Sequence, residues 1–189
     1  MTLFSAALDH AIGTALEAHQ GQVRRGTNVP YASHPVHIAM MLTRLGVDEV
    51  TVTAALLHDV VEDCDGWDFD RIEAEFGSDV RRLVADLTED KEGTWKERKS
   101  AGVAKAHVMD SRSATVKAAD KLHNLSTLVR DLQATDDPGA LWGRFKGGPE
   151  GTLTMATQLV EALVPRVDKR LGQALQATLD QLRSMVAQA

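Results

Sequence analysis

The segment His58-Asp59-Val60-Val61-Glu62-Asp63 places one imidazole and three carboxylates side by side, directly after the apolar pair Leu56-Leu57. On a helix, His58 and Glu62 share a face at i, i+4, and Asp59 points about 100° round from His58. Glu62 and Asp63 add negative charge where mutual repulsion disfavours it without a cation. A neighbouring imidazole and carboxylate hold a divalent ion only if other segments complete its shell. His34, after a Pro-containing loop, and Asp120, in the apolar run Ala118-Ala119-Asp120-Lys121-Leu122 where an unpaired carboxylate is costly to bury, are the candidates. Such a nitrogen and oxygen set without thiolate suits a hard or borderline ion such as manganese better than structural zinc, and Cys64 is the chain's single cysteine. A polar helix surface is the competing reading of the His-Asp pair. His37, one turn from His34, is a further candidate, whereas His10, His19, His107 and His123 read as surface or internally satisfied histidines.

The elements that must position these groups read as helices. Phe4, Leu8, Ile12 and Leu16 recur at spacing four, with Ala7, Ala11 and Ala15 beside them, which predicts an amphipathic helix over 3–19 ending near Gly21. Gln22 to Ser33 reads as an ordered loop. A second helix starts at His34-Pro35 and stops at Gly46, and a third runs from an Asp48 cap to about Asp63. Ile72 to Leu87 gives a short and a longer helix divided near Gly77, 95–108 a charged helix, and 118–132 a strong helical period. The stretch 135–151 reads as a loop before two final helices separated at Pro165. No strand alternation, hairpin signal, repeat or linker emerges. The expectation is an all-α fold, one helical bundle of roughly eight to ten helices over residues 1–189.

Composition narrows the partners. The 189 residues are 43% hydrophobic and 25% charged, which is ordinary for a globular chain. A net charge of −6 and an aromatic content of 4% disfavour a nucleic-acid polymer as partner. No stretch approaches a membrane span, so no membrane partner is expected. Met1-Thr2-Leu3-Phe4-Ser5 lacks the pattern of a secretory leader, and one unpaired cysteine fits a reducing cytoplasm. Arg24 and Arg25, about ten residues before His34, offer locally focused positive charge, as do Lys96, Arg98, Lys99 and Lys105, although the latter group suits a solvated face equally well. Asp120, Asn124 and Thr127 fall on one helix face. Tyr31 fits either the core or a pocket wall.

The order Tyr31-x-x-His34-Pro35, His58-Asp59-x-x-Glu62-Asp63 and Asp120-Lys121-Leu122-His123-Asn124-Leu125 resembles the HD-type hydrolase domain of Rel/SpoT proteins in its free-standing form, the small alarmone hydrolases. The likeness runs from Ala18-His19-Gln20-Gly21 to Asn124-Leu125. It implies an HD-domain bundle in which His34, His58, Asp59 and Asp120 hold one Mn2+, with Glu62 and Asp63 as the catalytic acidic pair. The implied reaction is hydrolysis of the 3′-pyrophosphate of guanosine alarmones to GDP or GTP and pyrophosphate. Arg24, Arg25, Tyr31, Lys99, Asn124 and Thr127 are the expected nucleotide contacts. The same site acting on adenosine alarmones, or removing the ribose phosphate of NADPH, is the alternative, and a non-catalytic nucleotide-binding module is a third reading. The likeness leaves room for a homo-oligomer. Two departures stand out: the loop between Arg25 and Tyr31 is a residue longer than in the bifunctional Rel proteins, and Cys64 replaces a common threonine.

Overall fold

A computed structural model describes residues 3–187. Met1 and Thr2, within the stretch inspected for a leader, lie outside them. The all-α expectation holds: the described residues form helices and no named strand, with one isolated antiparallel bridge between Val23 and Pro30. No helix among them is long and apolar enough to cross a membrane. The chain divides into two compact units, Met1–Thr88 and Glu89–Ala189.

The first unit is organised around a buried helix. Helix α1 (Ala6–Ala18) is capped by Ser5, whose hydroxyl accepts from Leu8 N–H. Helix α2 (Ser33–Leu45) ends where Gly46 turns into the left-handed region at φ 79°, as expected of a glycine stop. Helix α3 (Glu49–Leu57) is capped by Asp48 and is buried from Thr51 through Leu57, and it is helix although Val50-Thr51-Val52-Thr53 would suit a strand equally well by sequence. Both α1 and α2 pack on it. A single turn, α4 (Val60–Asp63), follows, and then α5 (Phe69–Phe76) and α6 (Ser78–Leu87), separated at Gly77 as predicted.

Three expectations are corrected here. The third helix does not run unbroken to Asp63; it stops at Leu57 and resumes as α4. Helix α1 buries Ala11, Thr14 and Ala15 and leaves Ile12 and Leu16 exposed, with Phe4 exposed ahead of the Ser5 cap, because small side chains allow close approach to α3. The third correction falls in the second unit, where 135–151 is not all loop: Asp137 accepts from Ala140 N–H and Pro138 opens the short helix α9 (Pro138–Trp142). Residues read as turn chemistry there are helix-start chemistry.

The rest of the second unit comprises α7 (Trp95–Ala106), opened by a Thr94/Glu97 capping box, the long α8 (Ser111–Ala134), α10 (Gly148–Leu163), a 3₁₀ turn (Val164–Arg166) and α11 (Lys169–Val186). Helices α8 and α10 pack on α11, burying Leu171, Leu175, Leu179 and Leu182. The indole of Trp95 lies so close over Gly147 that a Cβ there would sit 2.4 Å from its ring.

Because α3 is enclosed by its neighbours, truncating its fully buried Leu57 leaves a cavity that the surroundings cannot fill. Leu57→Ala is expected to lower unfolding free energy by about 2–5 kcal/mol in urea denaturation, with the native far-UV spectrum retained.

Candidate active site

The junction between α3 and α4 carries the site. His58 Nδ1 lies 2.8 Å from the Ala55 carbonyl oxygen, which can only accept, so Nδ1 is the protonated ring nitrogen. In a continuous helix that oxygen would take the Asp59 N–H. Here α3 ends at Leu57, the imidazole bonds that oxygen, and Asp59 stands between α3 and α4 at φ −98°, ψ −6°. This explains why His58 and Glu62 do not share the face of one helix.

With Nδ1 protonated, neutral His58 presents the Nε2 lone pair, 3.2 Å from Asp59 Oδ2. His34, buried in the first turn of α2, brings its Nε2 to 3.7 Å from the same oxygen. The two imidazoles tilt at 57° with centroids 5.4 Å apart, and each offers a ring nitrogen within 4.8 Å of the other's. Two imidazole nitrogens and a carboxylate converging on one point form a metal-binding group; the donor set suits a divalent ion bound by nitrogen and oxygen.

Tyr31 supports this group. Its hydroxyl donates to Asp59 Oδ2 at 2.6 Å, its ring meets His34 edge-on at 5.7 Å, and the Arg24 guanidinium lies over the ring, 5.4 Å from its centroid. The hydroxyl therefore orients a carboxylate of the metal-binding group, a role beyond the pocket wall expected from sequence. Arg24 itself sits in a tight hairpin-like loop, with Arg24 N–H donating to Val29 and Tyr31 N–H to Gln22. Arg25, next to it, is exposed.

Three residues that sequence reasoning did not single out as functional tie this loop to α4. Gln22 Nε2 donates to the Asp63 carbonyl at 2.9 Å, while Gln22 Oε1 lies 2.9 Å from His19 Nδ1. His19 is buried and stacks against Tyr31 at 4.7 Å, and Cys64 Sγ lies 3.3 Å from its Nδ1. Burial pushes the Cys64 thiol up to about 11, reinforced by the charges of Asp63, Asp59 and Asp65 against a lowering Gln22 hydrogen bond, so it is protonated at neutral pH. Gln22 falls in the segment that carries the family resemblance, but its role was not readable there, since its contact lies 41 positions along the chain. Glu62 is half-buried on α4 and Asp63 exposed, directly after Asp59.

The other expected residues lie in the second unit. On α8, Asn124 Nδ2 donates to Asp120 Oδ1 at 2.6 Å, so the predicted polar face is an interacting one, but Thr127 spends its hydroxyl on the Asn124 carbonyl. Lys99 pairs with Glu89 at 2.5 Å, with Arg98 3.4 Å from the same carboxylate. Lys121, half-buried, has its ammonium pushed down to about 8 by burial, with Asp120 pulling the other way.

An HD-domain family model matches residues 11–138, which include His34, His58, Asp59 and Asp120. The chain belongs to the HD-domain family. Among relatives of this HD protein, the guanosine-3′,5′-bis(diphosphate) 3′-pyrophosphohydrolase MESH1 of Homo sapiens is 41% identical over 129 residues, covering 67% of this chain and 72% of that one. Its Xenopus tropicalis counterpart is 38% identical over 133 residues, covering 69% and 74%. A Vibrio cholerae protein of the same printed activity is 38% identical over 128 residues, 65% of this chain but 18% of that longer one. Among solved structures, a metazoan SpoT ortholog described as hydrolysing ppGpp superposes with a TM-score of 0.79 at 31% identity, covering 96% of this chain and 98% of that one.

A thiol held protonated by burial reacts slowly. Alkylation of Cys64 by iodoacetamide, followed by intact mass, is expected to keep accelerating up to about pH 10 without the plateau of an ordinary cysteine, because only the thiolate attacks.

Proposed function

We propose that this HD protein is a metal-dependent 3′-pyrophosphohydrolase of guanosine alarmones, converting ppGpp or pppGpp to GDP or GTP and pyrophosphate. The observation that carries the reading is the convergence of His34 Nε2 and His58 Nε2 on Asp59 Oδ2, one turn before two further carboxylates. The activities printed for the MESH1 and SpoT-type relatives supply the substrate class. Residues 1–189 are read as one HD-type domain, and an unpaired cysteine agrees with a cytoplasmic setting.

His34, His58 and Asp59 would hold the ion, with Asp120 as fourth ligand on the strength of its place in the sequence motif. Mn2+ is the ion we assign, from the nitrogen and oxygen donors. When bound, such an ion lowers the pKa of a coordinated water and offsets phosphoryl charge. Glu62 is assigned as general base, taking a proton from the attacking water, and Asp63 as the group that orients that water. The phosphorus–oxygen bond to the ribose 3′ oxygen breaks, that oxygen keeping the electron pair and gaining a proton, and pyrophosphate leaves. Arg24 and Arg25 supply the local positive charge that a polyanionic substrate needs on an acidic protein, with the Tyr31 ring beside them. Asn124, Thr127 and Lys99 are assigned as further nucleotide contacts from the sequence resemblance. The reading involves a small nucleotide and neither a nucleic-acid polymer nor a membrane.

The testing experiment is an activity panel with Mn2+ over ppGpp, its adenosine analogue and NADPH, with product identification. Pyrophosphate and GDP from ppGpp, at a kcat/KM above that for the other two, are the expected outcome; release of phosphate from NADPH alone would replace the substrate assignment, and no turnover of any of the three would leave a nucleotide-binding module. The roles separate by mutation. Asp59→Asn is expected to lose metal affinity by calorimetry together with turnover. Glu62→Gln is expected to keep the metal and lose turnover by about 10²–10⁴-fold, so an active Glu62→Gln protein would overturn the base assignment.

A further inference from the structure

The two carboxylates assigned to the chemistry stand on the shortest helix of the first unit. Glu62 and Asp63 end α4, a single turn of four residues, and its ladder bonds run from Asp63 N–H to the Asp59 carbonyl at 2.9 Å and from Cys64 N–H to the Val60 carbonyl at 3.1 Å. Closing one turn fixes several dihedral angles for each bond gained, so a helix this short does not hold itself in water. Cys64 leaves it in an extended conformation at φ −126°, ψ 130°, and the Asp63 carbonyl is one of the last-turn acceptors that the ladder leaves over. A group outside the turn has to fix its end.

Gln22 reaches that end from the loop before α2. The Asp63 carbonyl oxygen, 2.9 Å away, can only accept, so the amide nitrogen is the atom that faces it and the amide oxygen is turned toward His19. Oε1 accepts from His19 Nδ1–H at 2.9 Å, which sets the orientation of the amide. His19 has little room to turn, being 2% exposed with its ring against that of Tyr31, centroids 4.7 Å apart. Cys64 Sγ, 3.8 Å from Gln22 Nε2 and 3.3 Å from His19 Nδ1, is a soft acceptor beside both N–H groups. A buried imidazole thus orients a half-buried amide, and the amide holds the last peptide of the turn. Other bonds hold the metal-binding group, His58 Nδ1–H to the Ala55 carbonyl and the Tyr31 hydroxyl to Asp59. The two supports are separate, so one can be removed while the other stays.

We propose that Gln22, oriented by His19, is a positioning residue for the reaction: it fixes the α4 turn so that Glu62 and Asp63 keep their place after Asp59. The proposal rests on the roles assigned to Glu62 and Asp63 above. Gln22 acts through the backbone of the turn and not on the nucleotide or the ion.

Gln22→Met tests this in the full chain, because it keeps the length and apolar stem of the side chain and removes both hydrogen bonds without adding charge. With Mn2+ and ppGpp, kcat is expected to fall by about 10–100-fold, while KM and the Mn2+ dissociation constant from calorimetry stay within about threefold of wild type. The Asp63 and Cys64 amide protons are expected to exchange with solvent at least about tenfold faster by NMR, a readout that needs neither substrate nor metal. His19 supplies the second arm. His19→Ala removes the donor to Gln22, whereas His19→Asn restores an N–H near the position of Nδ1; both lack the ring that packs on Tyr31. The His19→Asn protein should therefore exceed the His19→Ala protein in kcat by at least about fivefold, and that difference should vanish in the Gln22→Met background. Unchanged exchange at Asp63 and Cys64, a wild-type kcat in Gln22→Met, a metal affinity that falls in step with kcat, or a His19 difference that survives without Gln22 would each overturn the proposal. If the wild type turns over none of the nucleotides, the functional reading fails by itself, and the exchange rates alone decide whether Gln22 holds the turn.

Discussion

The Ala55 carbonyl oxygen, in the last turn of α3, accepts the ring N–H of His58. That one bond at 2.8 Å, made where α3 stops at Leu57, fixes the proton on His58 Nδ1 and presents Nε2 to Asp59. It holds because α3 is enclosed on every side from Thr51 to Leu57, so His58 has no solvent to which its ring could turn. A histidine at the end of an exposed helix would sample several rotamers; here packing pays for a single one, and the geometry of the metal-binding group follows from it.

A second layer joins acid to base. The segment bearing Arg24 and Arg25 and the turn bearing Glu62 and Asp63 are far apart in the chain, and Gln22 bonds one to the other through the Asp63 carbonyl, with His19 holding the Gln22 amide in place. Tyr31, stacked on His19 and bonded to Asp59, closes the circuit.

Much of this was legible in the residue string. The all-α class, the Gly46 and Gly77 boundaries and the His34, His58 and Asp59 grouping follow from periodicity, turn chemistry and the cost of crowding carboxylates. The break at His58 was not legible, because a helix buried all round carries no amphipathic period whose interruption could mark its end. Nor was the orientation of α1: periodicity identifies an apolar stripe without saying that the alanines beside it, and not the stripe, meet α3. Asp137-Pro138-Gly139 illustrates a third kind of miss, since loop residues and helix-start residues are the same residues, and only the donors that follow distinguish them. Gln22 escaped for the plainest reason, that a contact spanning 41 positions is written nowhere locally.

The short loop before α2 has one more property. Its two arms are clasped by Arg24 N–H to Val29 and Tyr31 N–H to Gln22, and its tip turns at Gly26 with φ 73°. The clasp lies between the tip and Tyr31, so a residue gained or lost among 25–28 changes the length of the tip without transmitting a displacement to the hydroxyl that holds Asp59. A change of length at the tip is therefore mechanically silent at the metal-binding group, and the rim can vary while the Tyr31 hydroxyl keeps its hold on Asp59.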